Sequence, residues 1–228
     1  GGWSTCMEAE SNIGAVLTGD LIGFSMLAGD AADRVGPLIR RLTTDLAEVE
    51  VGGAPSVTVW LDLYRGDAWQ AVVSPAAAAW RVALYARAVM RSELEETDTR
   101  VSIGIGRIDE VGEDRPSHGR GEAFTRSGRG LDGLSNRSMT FDAGPGGDTA
   151  AWDAAAAVTD SLIERTWTEK RSRAITGVLR GWTQQRTAGL WKPSIAQASV
   201  SGLLSDAGWN GIKHAMQSFE RRWSRSDR

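Results

Sequence analysis

The sequence predicts a mixed α/β domain over residues 13–148, followed by an all-helical segment over 149–228. Two observations lead to this fold class. Up to residue 148, short apolar runs alternate with amphipathic stretches and are separated by glycine- and charge-rich loops, which is typical of strands and helices in turn. From residue 149 onwards every segment has helical spacing, and the breaks fall at glycine or proline: Gly181, Lys192–Pro193 and Gly208.

The first part of the chain is predicted to fold in the order β-α-β-β-α-β-α-β. The strands are expected at 13–19, 57–64, 68–73, 100–106 and 138–142, and the helices at 33–50, at 75–95 and in the middle of 121–134. The first helix is indicated by apolar residues at helical spacing, namely Val35, Leu38, Ile39, Leu42 and Leu46. This element order is that of an α+β sandwich of the ferredoxin-like kind.

Within the helical segment, residues 183–190 and 195–204 have the proportions of a helix-turn-helix. A DNA-reading helix presents polar side chains to base edges, and the candidates here are Gln197, Ser199 and Ser201. Cations for the phosphates would come from nearby residues: Arg186, Lys192 and Lys213. A helical bundle packed on the α/β domain accounts for the same pattern, so DNA is an open but disfavoured partner.

Composition argues against several classes of function. The chain has 228 residues, 24% of them charged, and a net charge of −3, which gives no reason to expect a nucleic-acid or membrane partner. No apolar run approaches the roughly 18 residues of a transmembrane helix. The single cysteine, Cys6, allows no internal disulfide and, with two histidines, makes a His/Cys metal site improbable. The first twelve residues lack signal-peptide features, so we expect a cytoplasmic protein, with Met7 as a candidate native start.

Two aspartates stand in similar settings, each near the end of an apolar run and beside a glycine. Asp20 lies in Gly-Asp-Leu-Ile-Gly-Phe-Ser over 19–25, and Asp67 follows Arg65 and Gly66 between two predicted strands. Glycine lets a backbone or a ligand approach closely. Two carboxylates presented in this way suit Mg²⁺ or Mn²⁺ held against a triphosphate. Turn or capping carboxylates are also common beside glycine, and that alternative stays open.

These segments resemble the class III nucleotidyl cyclases. Asp-Leu-Ile-Gly-Phe-Ser over 20–25 is similar to the family's first metal-binding segment, and Arg-Gly-Asp over 65–67 is similar to its second. Val-Ser-Ile-Gly-Ile-Gly over 101–106 resembles a strand of the family, and residues 121–129 match the spacing of its Gly-x-x-Val-Asn-x-Ala-x-Arg segment. The resemblance covers residues 13–143. With the helix-turn-helix added, the chain resembles the SatD family, and bacterial pyrimidine (uridylate and cytidylate) cyclases share the cyclase fold.

The resemblance implies a metal-dependent reaction on a nucleoside triphosphate. Asp20 and Asp67 would hold two divalent ions, Mg²⁺ or Mn²⁺, one activating the ribose 3′-hydroxyl and one neutralising the triphosphate. Arg129 corresponds to the transition-state arginine of the family, and Thr125 stands where the family has a ribose-orienting asparagine. In this family the metals and the arginine come from opposite protomers, so a homodimer is implied.

The base-recognition positions depart from the adenylate cyclase pattern. The purine-selecting lysine and aspartate correspond to Leu63 and His118, and Leu63 has no hydrogen-bond donor. The neighbouring Tyr64 would stack on a base or restrict its size, which favours a pyrimidine. Plainer interpretations stay open: Tyr64 as a packed strand residue, His118 as a loop residue without a role, and Arg129 as a solvated helix residue.

Two functions from different classes follow from these observations. The leading hypothesis is a nucleotidyl cyclase that converts a nucleoside triphosphate, with a pyrimidine as one option, to a 3′,5′-cyclic nucleotide and pyrophosphate. The competing hypothesis is a non-catalytic regulator that senses a nucleotide or dimerises, and whose helices bind DNA or a partner. The two aspartates and Arg129 favour the enzyme, whereas Leu63, His118 and Thr125 favour the regulator.

Overall fold

The computed structural model describes residues 13–27, 29–54, 56–64, 66–94, 97–112 and 115–224. These residues form a mixed α/β protein with six strands: β1 (Ile13–Ile22), β2 (Thr58–Tyr64), β3 (Ala68–Ser74), β4 (Asp98–Glu110), β5 (Arg120–Gly121) and β6 (Met139–Asp142). The α-helices are α1 (Gly29–Asp45), α2 (Ala79–Glu93), α3 (Glu122–Asp132), α4 (Thr149–Thr166), α5 (Glu169–Leu179), α6 (Gln184–Ala188), α7 (Gln197–Asp206) and α8 (Trp209–Trp223). Cys6, Met7 and Arg65 lie outside the described residues.

The predicted mixed α/β class is confirmed, and the ends of several elements differ from the prediction. β4 extends over Asp98–Glu110 rather than 100–106, because it pairs with the whole of β1. α1 begins at Gly29 and ends at Asp45, earlier at both ends than the predicted 33–50. The apolar residues that predicted α1 are all buried, which shows that the helical period identified the correct face.

The six strands form one sheet in the order β2-β3-β1-β4-β5, with β6 beside β4. The β4–β6 pair is parallel and the other pairs are antiparallel. β2 and β3 form the hairpin that the sequence predicts, and Gly66 in its turn has φ +80°. Glycine adopts this left-handed conformation without the steric cost that other residues have, so Gly66 fits the turn that precedes Asp67.

Helices cover both faces of the sheet. Leu17 and Leu21 of β1 belong to the same core cluster as the apolar residues of α1 and α2, whereas Val16 of β1 packs with Phe124 of α3. This division follows from the alternation of side chains along a strand. A Cβ atom added to Gly104 of β4 would overlap the backbone of α3. Gly104 therefore lies where the backbone of α3 packs directly against the strand.

Helix α2 is buried from Ala79 to Met90, between the sheet on one side and α5 and α8 on the other. The buried residues include Arg87, whose side chain is 0% exposed. Its guanidinium binds Asp98 of β4, with Nη2 2.7 Å from Oδ2, and also binds Asp160 of α4. An unpaired buried charge would be very costly, so the two carboxylates are what allows an arginine in this core. The network joins α2, β4 and α4.

The C-terminal helices share the core of the α/β part. Phe219 of α8 contacts the rings of Trp80 of α2, Phe141 of β6 and Trp152 of α4, at centroid distances of 5.3, 5.6 and 5.2 Å. One core cluster contains buried residues from Ala15 to Trp223. The proposed division at residue 148 stays a prediction, because apolar packing continues across that position.

The predicted helix-turn-helix falls on α6 and α7. α6 has only 5 residues, and residues 189–196 separate it from α7. This connection is longer than the turn of about three to four residues in a helix-turn-helix, so that interpretation stays a prediction. Through the described part of the chain, no helix combines the length and the apolarity that a membrane span requires.

Candidate functional site

The two aspartates lie next to each other at one end of the sheet. In the β1–β3 register Asp20 is opposite Ala68, and the Leu21 N–H donates to the Asp67 carbonyl oxygen at 3.0 Å. Asp67 is therefore opposite Leu21, in the turn that leads into β3. Both aspartates are partly exposed. The sheet register thus brings together the backbones of two aspartates from separate segments of the sequence. Asp20 shares its face of the sheet with Ala68, and side-chain alternation assigns the adjacent Asp67 to the other face.

Gly19, which precedes Asp20, is required by packing. In the register Gly19 is opposite Trp69 of β3, and a Cβ atom at Gly19 would overlap the Trp69 indole. The Trp69 Nε1–H donates to Thr99 Oγ1 at 2.9 Å, and the Thr99 hydroxyl donates to the Asp20 carbonyl at 2.7 Å. The space beside Gly19 is therefore filled by the Trp69 indole. Through Thr99, Trp69 also helps to hold the backbone of Asp20 in place.

Arg100 of β4 binds the Asp20 carboxylate. The two residues are directly opposite in the β1–β4 register; Arg100 Nε donates to Oδ1 at 2.8 Å and Nη2 donates to Oδ2. The planar guanidinium matches both carboxylate oxygens, and the hydrogen bond with Asp20 raises the pKa of Arg100. Sequence reasoning missed this partner, because only the strand register shows which residue of β4 is opposite Asp20.

The donor chemistry of the aspartate pair fits a divalent ion only in part. Asp67 accepts no side-chain hydrogen bond within the described residues, which leaves its carboxylate open, but Asp20 is already bound by Arg100. Among the described residues no group of three or more His, Cys, Asp or Glu side chains is placed to hold a metal ion. Mg²⁺ is commonly held by one or two carboxylates together with water and phosphate oxygens. Binding of a divalent ion at Asp20 would require Arg100 to release that carboxylate.

Thr125 and Arg129 lie one turn apart on the outer face of α3, and both are exposed. The Thr125 hydroxyl donates to the Gly121 carbonyl at 3.2 Å, within its own helix. The inner face carries Ser127, whose hydroxyl is 2.8 Å from the Thr18 hydroxyl of β1. Within the described part of the chain, Arg129 forms no ion pair with Asp20 or Asp67. A single copy therefore does not bring the predicted arginine to the predicted metal ligands.

The three predicted base contacts do not share one side of the sheet. The Ser117 hydroxyl, adjacent to His118, donates to Asp62 of β2, so the 116–118 turn covers the Asp62 face. Because side chains alternate along a strand, Tyr64 shares that face and Leu63 does not. Leu63 packs instead against the main core, beside Gly36 of α1. The structure places Tyr64 and the exposed His118 on one side and Leu63 on the other.

The predicted DNA-reading residues lie at the start of α7 and are exposed. The Gln197 amide donates to Gln184 of α6, which ties the two helices together. α7 contains no lysine or arginine. The nearby Arg186 stacks on Trp182, with its guanidinium carbon 4.2 Å from the ring centroid. α7 itself therefore offers none of the cations that phosphate binding requires.

A groove of about 880 Å³ lies near the aspartates but does not include them. Ile22 and Asp98 form its border with the sheet, and the remainder comes from α1, α2, α4, α5 and the segments that connect these elements. Its lining mixes both signs of charge, and several of these groups are already paired, including Arg173 with Glu169 at 3.0 Å and Arg91 with Asp98 at 2.8 Å. Such a lining selects no particular charged ligand, so the aspartate pair is the stronger candidate site.

The chain matches no protein-family model, and no curated protein matches it in sequence. No family is shown by these comparisons, and the resemblance to the cyclases stays a prediction. The function proposed below is therefore argued from the residues and the geometry of the aspartate site.

Proposed function

We propose that this chain is a metal-dependent nucleotidyl cyclase-like protein, which converts a nucleoside triphosphate to a 3′,5′-cyclic nucleotide and pyrophosphate. The observation that carries the proposal is the β1–β3 register, which puts Asp20 and Asp67 next to each other at one end of the sheet. The strand order β4-β1-β3-β2, with α1 and α2 as crossover helices, supports the proposal because it is the order expected of a ferredoxin-like α/β sandwich.

The proposed roles follow from the chemistry of each side chain. Asp20 and Asp67 would hold two divalent ions, Mg²⁺ or Mn²⁺, in place of the Arg100 guanidinium on Asp20. When bound, these ions supply activation of the ribose 3′-hydroxyl and neutralisation of the triphosphate. Arg129 provides a permanent planar cation for charge that develops on phosphorus, and Thr125 hydrogen-bonds the ribose.

A homodimer is part of the proposal. Thr125 and Arg129 lie on an exposed face of α3 and contact neither aspartate of their own chain, so a second copy is needed to complete the site. Base selection then depends on Tyr64 and His118, since Leu63 packs in the core. The bulk of Tyr64 favours the smaller pyrimidine ring.

Incubation of the purified protein with ATP, GTP, CTP and UTP in separate reactions containing Mn²⁺ tests the activity. We expect a cyclic nucleotide and pyrophosphate from at least one triphosphate, detected by mass spectrometry. Arg129→Ala should lower kcat by on the order of 10²–10³-fold, the effect of removing one donor that stabilises transition-state charge. Arg107→Ala removes an exposed arginine elsewhere and should leave kcat unchanged. Absence of a cyclic product from all four substrates would contradict the proposal.

Mixing two inactive variants tests the shared site. If the metals and the arginine come from opposite protomers, Asp67→Asn and Arg129→Ala should each be inactive alone and recover part of the activity when mixed, because one of the two sites in a mixed dimer is intact. Asp206→Asn, a carboxylate on α7, serves as a control that should retain activity alone. Two inactive variants that stay inactive after verified subunit exchange would argue against the shared site.

A non-catalytic regulator is the second candidate. The two hydrogen bonds from Arg100 to the Asp20 carboxylate favour it, because they occupy a proposed metal ligand. In this case the cyclase-like part senses a nucleotide or dimerises, and the C-terminal helices contact DNA or a protein. Thermal unfolding with a nucleotide and Mn²⁺ separates the two candidates when it is compared with turnover, because any ligand that binds the native state raises Tm. A Tm increase without turnover, unchanged in Asp67→Ala, supports a sensor that does not use the metal site. DNA binding, if present, should weaken steeply with salt.

A further inference from the structure

A second groove, of about 590 Å³, lies among the C-terminal helices and includes neither aspartate. One wall is a face of α7 with Ser201 and Ser205, and another is a face of α8 with Lys213 and Gln217. The chain between α5 and α6, which contains Trp182, forms a third wall. The volume of this cavity, the helical groove, is in the range of small-molecule sites, about 300–1,000 Å³.

The charged residues that line the helical groove are cations. They are the buried Arg81 and the exposed Lys213, and among the described residues no aspartate or glutamate lines the groove. Glu220 neutralises Arg81 at 2.8 Å, whereas Lys213 forms no ion pair within the part of the chain that the structure describes. The whole chain has a net charge of −3, so the groove differs from it in sign. A cleft lined by one sign of charge concentrates ligands of the opposite sign.

Arg186 adds positive charge next to the groove. Its guanidinium carbon is 4.2 Å from the centroid of the Trp182 ring, and Trp182 lines the groove. Arg180 stacks on the same ring at 4.7 Å, but its charge is paired with Asp45. Over the described ranges of the chain Arg186 has no carboxylate partner, so its charge can act on a ligand in the groove.

The neutral part of the lining combines hydrogen-bond donors with apolar surface. The side chains of Ser205, Asn210 and Gln217 make no hydrogen bond to other described residues, so their donors can serve a ligand. Leu204 and Trp209 contribute apolar and aromatic surface. A phosphate group carries a charge of about −1.5 to −2 and has three strong acceptor oxygens, one more than a carboxylate has. This surplus of donors beside unpaired cations therefore favours a phosphate.

We propose that the helical groove binds a small molecule that carries a phosphate group and a planar ring. Lys213 and Arg186 attract the phosphate, since lysine and arginine both bind phosphate in proteins. Leu204 and Trp209 pack against the ring. The site uses neither aspartate and needs no metal ion, so this inference goes beyond the proposed function and does not depend on it.

Isothermal titration calorimetry with 1-naphthyl phosphate tests the site, in a buffer that contains neither phosphate nor divalent ions. We expect saturable binding that weakens as salt is added, because salt screens exposed charges. 1-Naphthol lacks the phosphate and inorganic phosphate lacks the ring, and each should bind roughly 10-fold more weakly or worse, the loss for about 1.4 kcal/mol. Absence of saturable binding of 1-naphthyl phosphate, or equal affinity for either fragment, would overturn the proposal.

Two pairs of variants locate the binding. Lys213→Gln should raise the Kd for 1-naphthyl phosphate roughly 10-fold, as expected for the loss of one hydrogen bond to a charged group. Lys170→Gln removes the same charge from an exposed position of α5 outside the groove, and its Kd should equal that of the wild type.

Ser205→Trp should abolish binding because the indole fills the groove. Gly202→Trp is its control on the same helix, since a Cβ atom at that position has no neighbour within 4 Å. Circular dichroism checks that each variant is folded. A wild-type Kd in folded Lys213→Gln or in folded Ser205→Trp would overturn the proposal, and would leave the proposed cyclase activity untouched.

Discussion

At the residue scale, the glycines and carboxylates near the sheet are explained by individual contacts. Gly19 leaves room for the Trp69 indole, which in turn donates to Thr99 and so supports the Asp20 backbone. Gly19, which together with Asp20 suggested a ligand site, is thus also required for the packing of Trp69. A substitution at Gly19 tests packing separately from chemistry, because it leaves both carboxylates unchanged.

Gly19→Ala should lower the free energy of unfolding by about 1–3 kcal/mol, since overpacking forces the Trp69 ring or the strand to shift. Chemical denaturation at neutral pH provides the measurement. Gly202→Ala is the control, because a Cβ atom at that exposed position of α7 has no neighbour within 4 Å. It should be neutral or stabilising by up to about 1 kcal/mol, as alanine favours a helix over glycine. Equal destabilisation by both substitutions would contradict the packing role of Gly19.

Asp153 of α4 is a second residue whose contacts have a measurable consequence. Its carboxylate accepts from Arg137 Nη2 and Thr140 Oγ1, both at 2.7 Å, and from the Phe141 N–H at 3.0 Å. Burial opposes the charged form, but these hydrogen bonds outweigh burial and lower the pKa of Asp153. The side chain therefore joins α4 to β6 most strongly when it is ionised.

Asp153→Asn should lose about 1–3 kcal/mol of stability at pH 7, the range for hydrogen bonds to a charged group. The folded-state pKa is below the unfolded value of about 3.9, so the stabilisation is complete above that value and is lost as the pH falls through the folded-state pKa. The difference between wild type and variant should therefore shrink below about pH 4. Denaturation curves at several pH values measure it. Asp132→Asn, an exposed position at the end of α3, should show no such difference.

At the scale of elements, a buried ion network holds a helix against the sheet. Arg87 of α2 binds Asp98 and Asp160, and Asp160 also accepts from the Ser138 N–H at 2.7 Å, just before β6. Arg91 adds a contact to Asp98 from the next turn of α2, and its side chain is 23% exposed. Because the two arginines differ in burial and in the number of carboxylates they bind, their removal should have unequal effects.

Arg87→Met should lower the free energy of unfolding by roughly 3–5 kcal/mol, because it leaves Asp160 buried without its cation. Arg91→Met should lower it by less, since Asp98 keeps Arg87 as a partner. Urea denaturation of both variants measures the difference. A smaller loss of unfolding free energy for Arg87→Met than for Arg91→Met would show that Arg87 is not the main stabilising residue of this ion network.

At the scale of the whole molecule, the α/β part and the C-terminal helices have a common core. Phe219 of α8 is surrounded by aromatic rings from α2, α4 and β6, and the Arg81–Glu220 ion pair at 2.8 Å joins α2 to α8. This packing predicts that the two parts of the chain unfold together. The prediction opposes independent folding of the segments before and after residue 148.

Phe219→Ala should reduce stability by about 3–5 kcal/mol, the range for removing a buried aromatic ring. Calorimetry should show one cooperative transition in the wild type, shifted to lower temperature in the variant. Val158→Ala, at a position of α4 that is 70% exposed, is the control and should leave Tm nearly unchanged. Two separate transitions, of which the variant shifts only one, would instead support two independent domains.

The sequence by itself determined the order of the longer elements, though not the two-residue strand β5, and it identified the buried face of α1. Hydrophobic periods of a helix or a strand are local, so Leu38 and Leu42 identified the inner face of α1, and the two glycine-aspartate segments identified the candidate site before any contact was known. Only the tertiary structure decided that Arg100 binds Asp20, that Leu63 packs in the core, and that Phe219 joins both parts of the chain. These facts depend on strand register and on contacts between residues far apart in the chain, which no local pattern encodes.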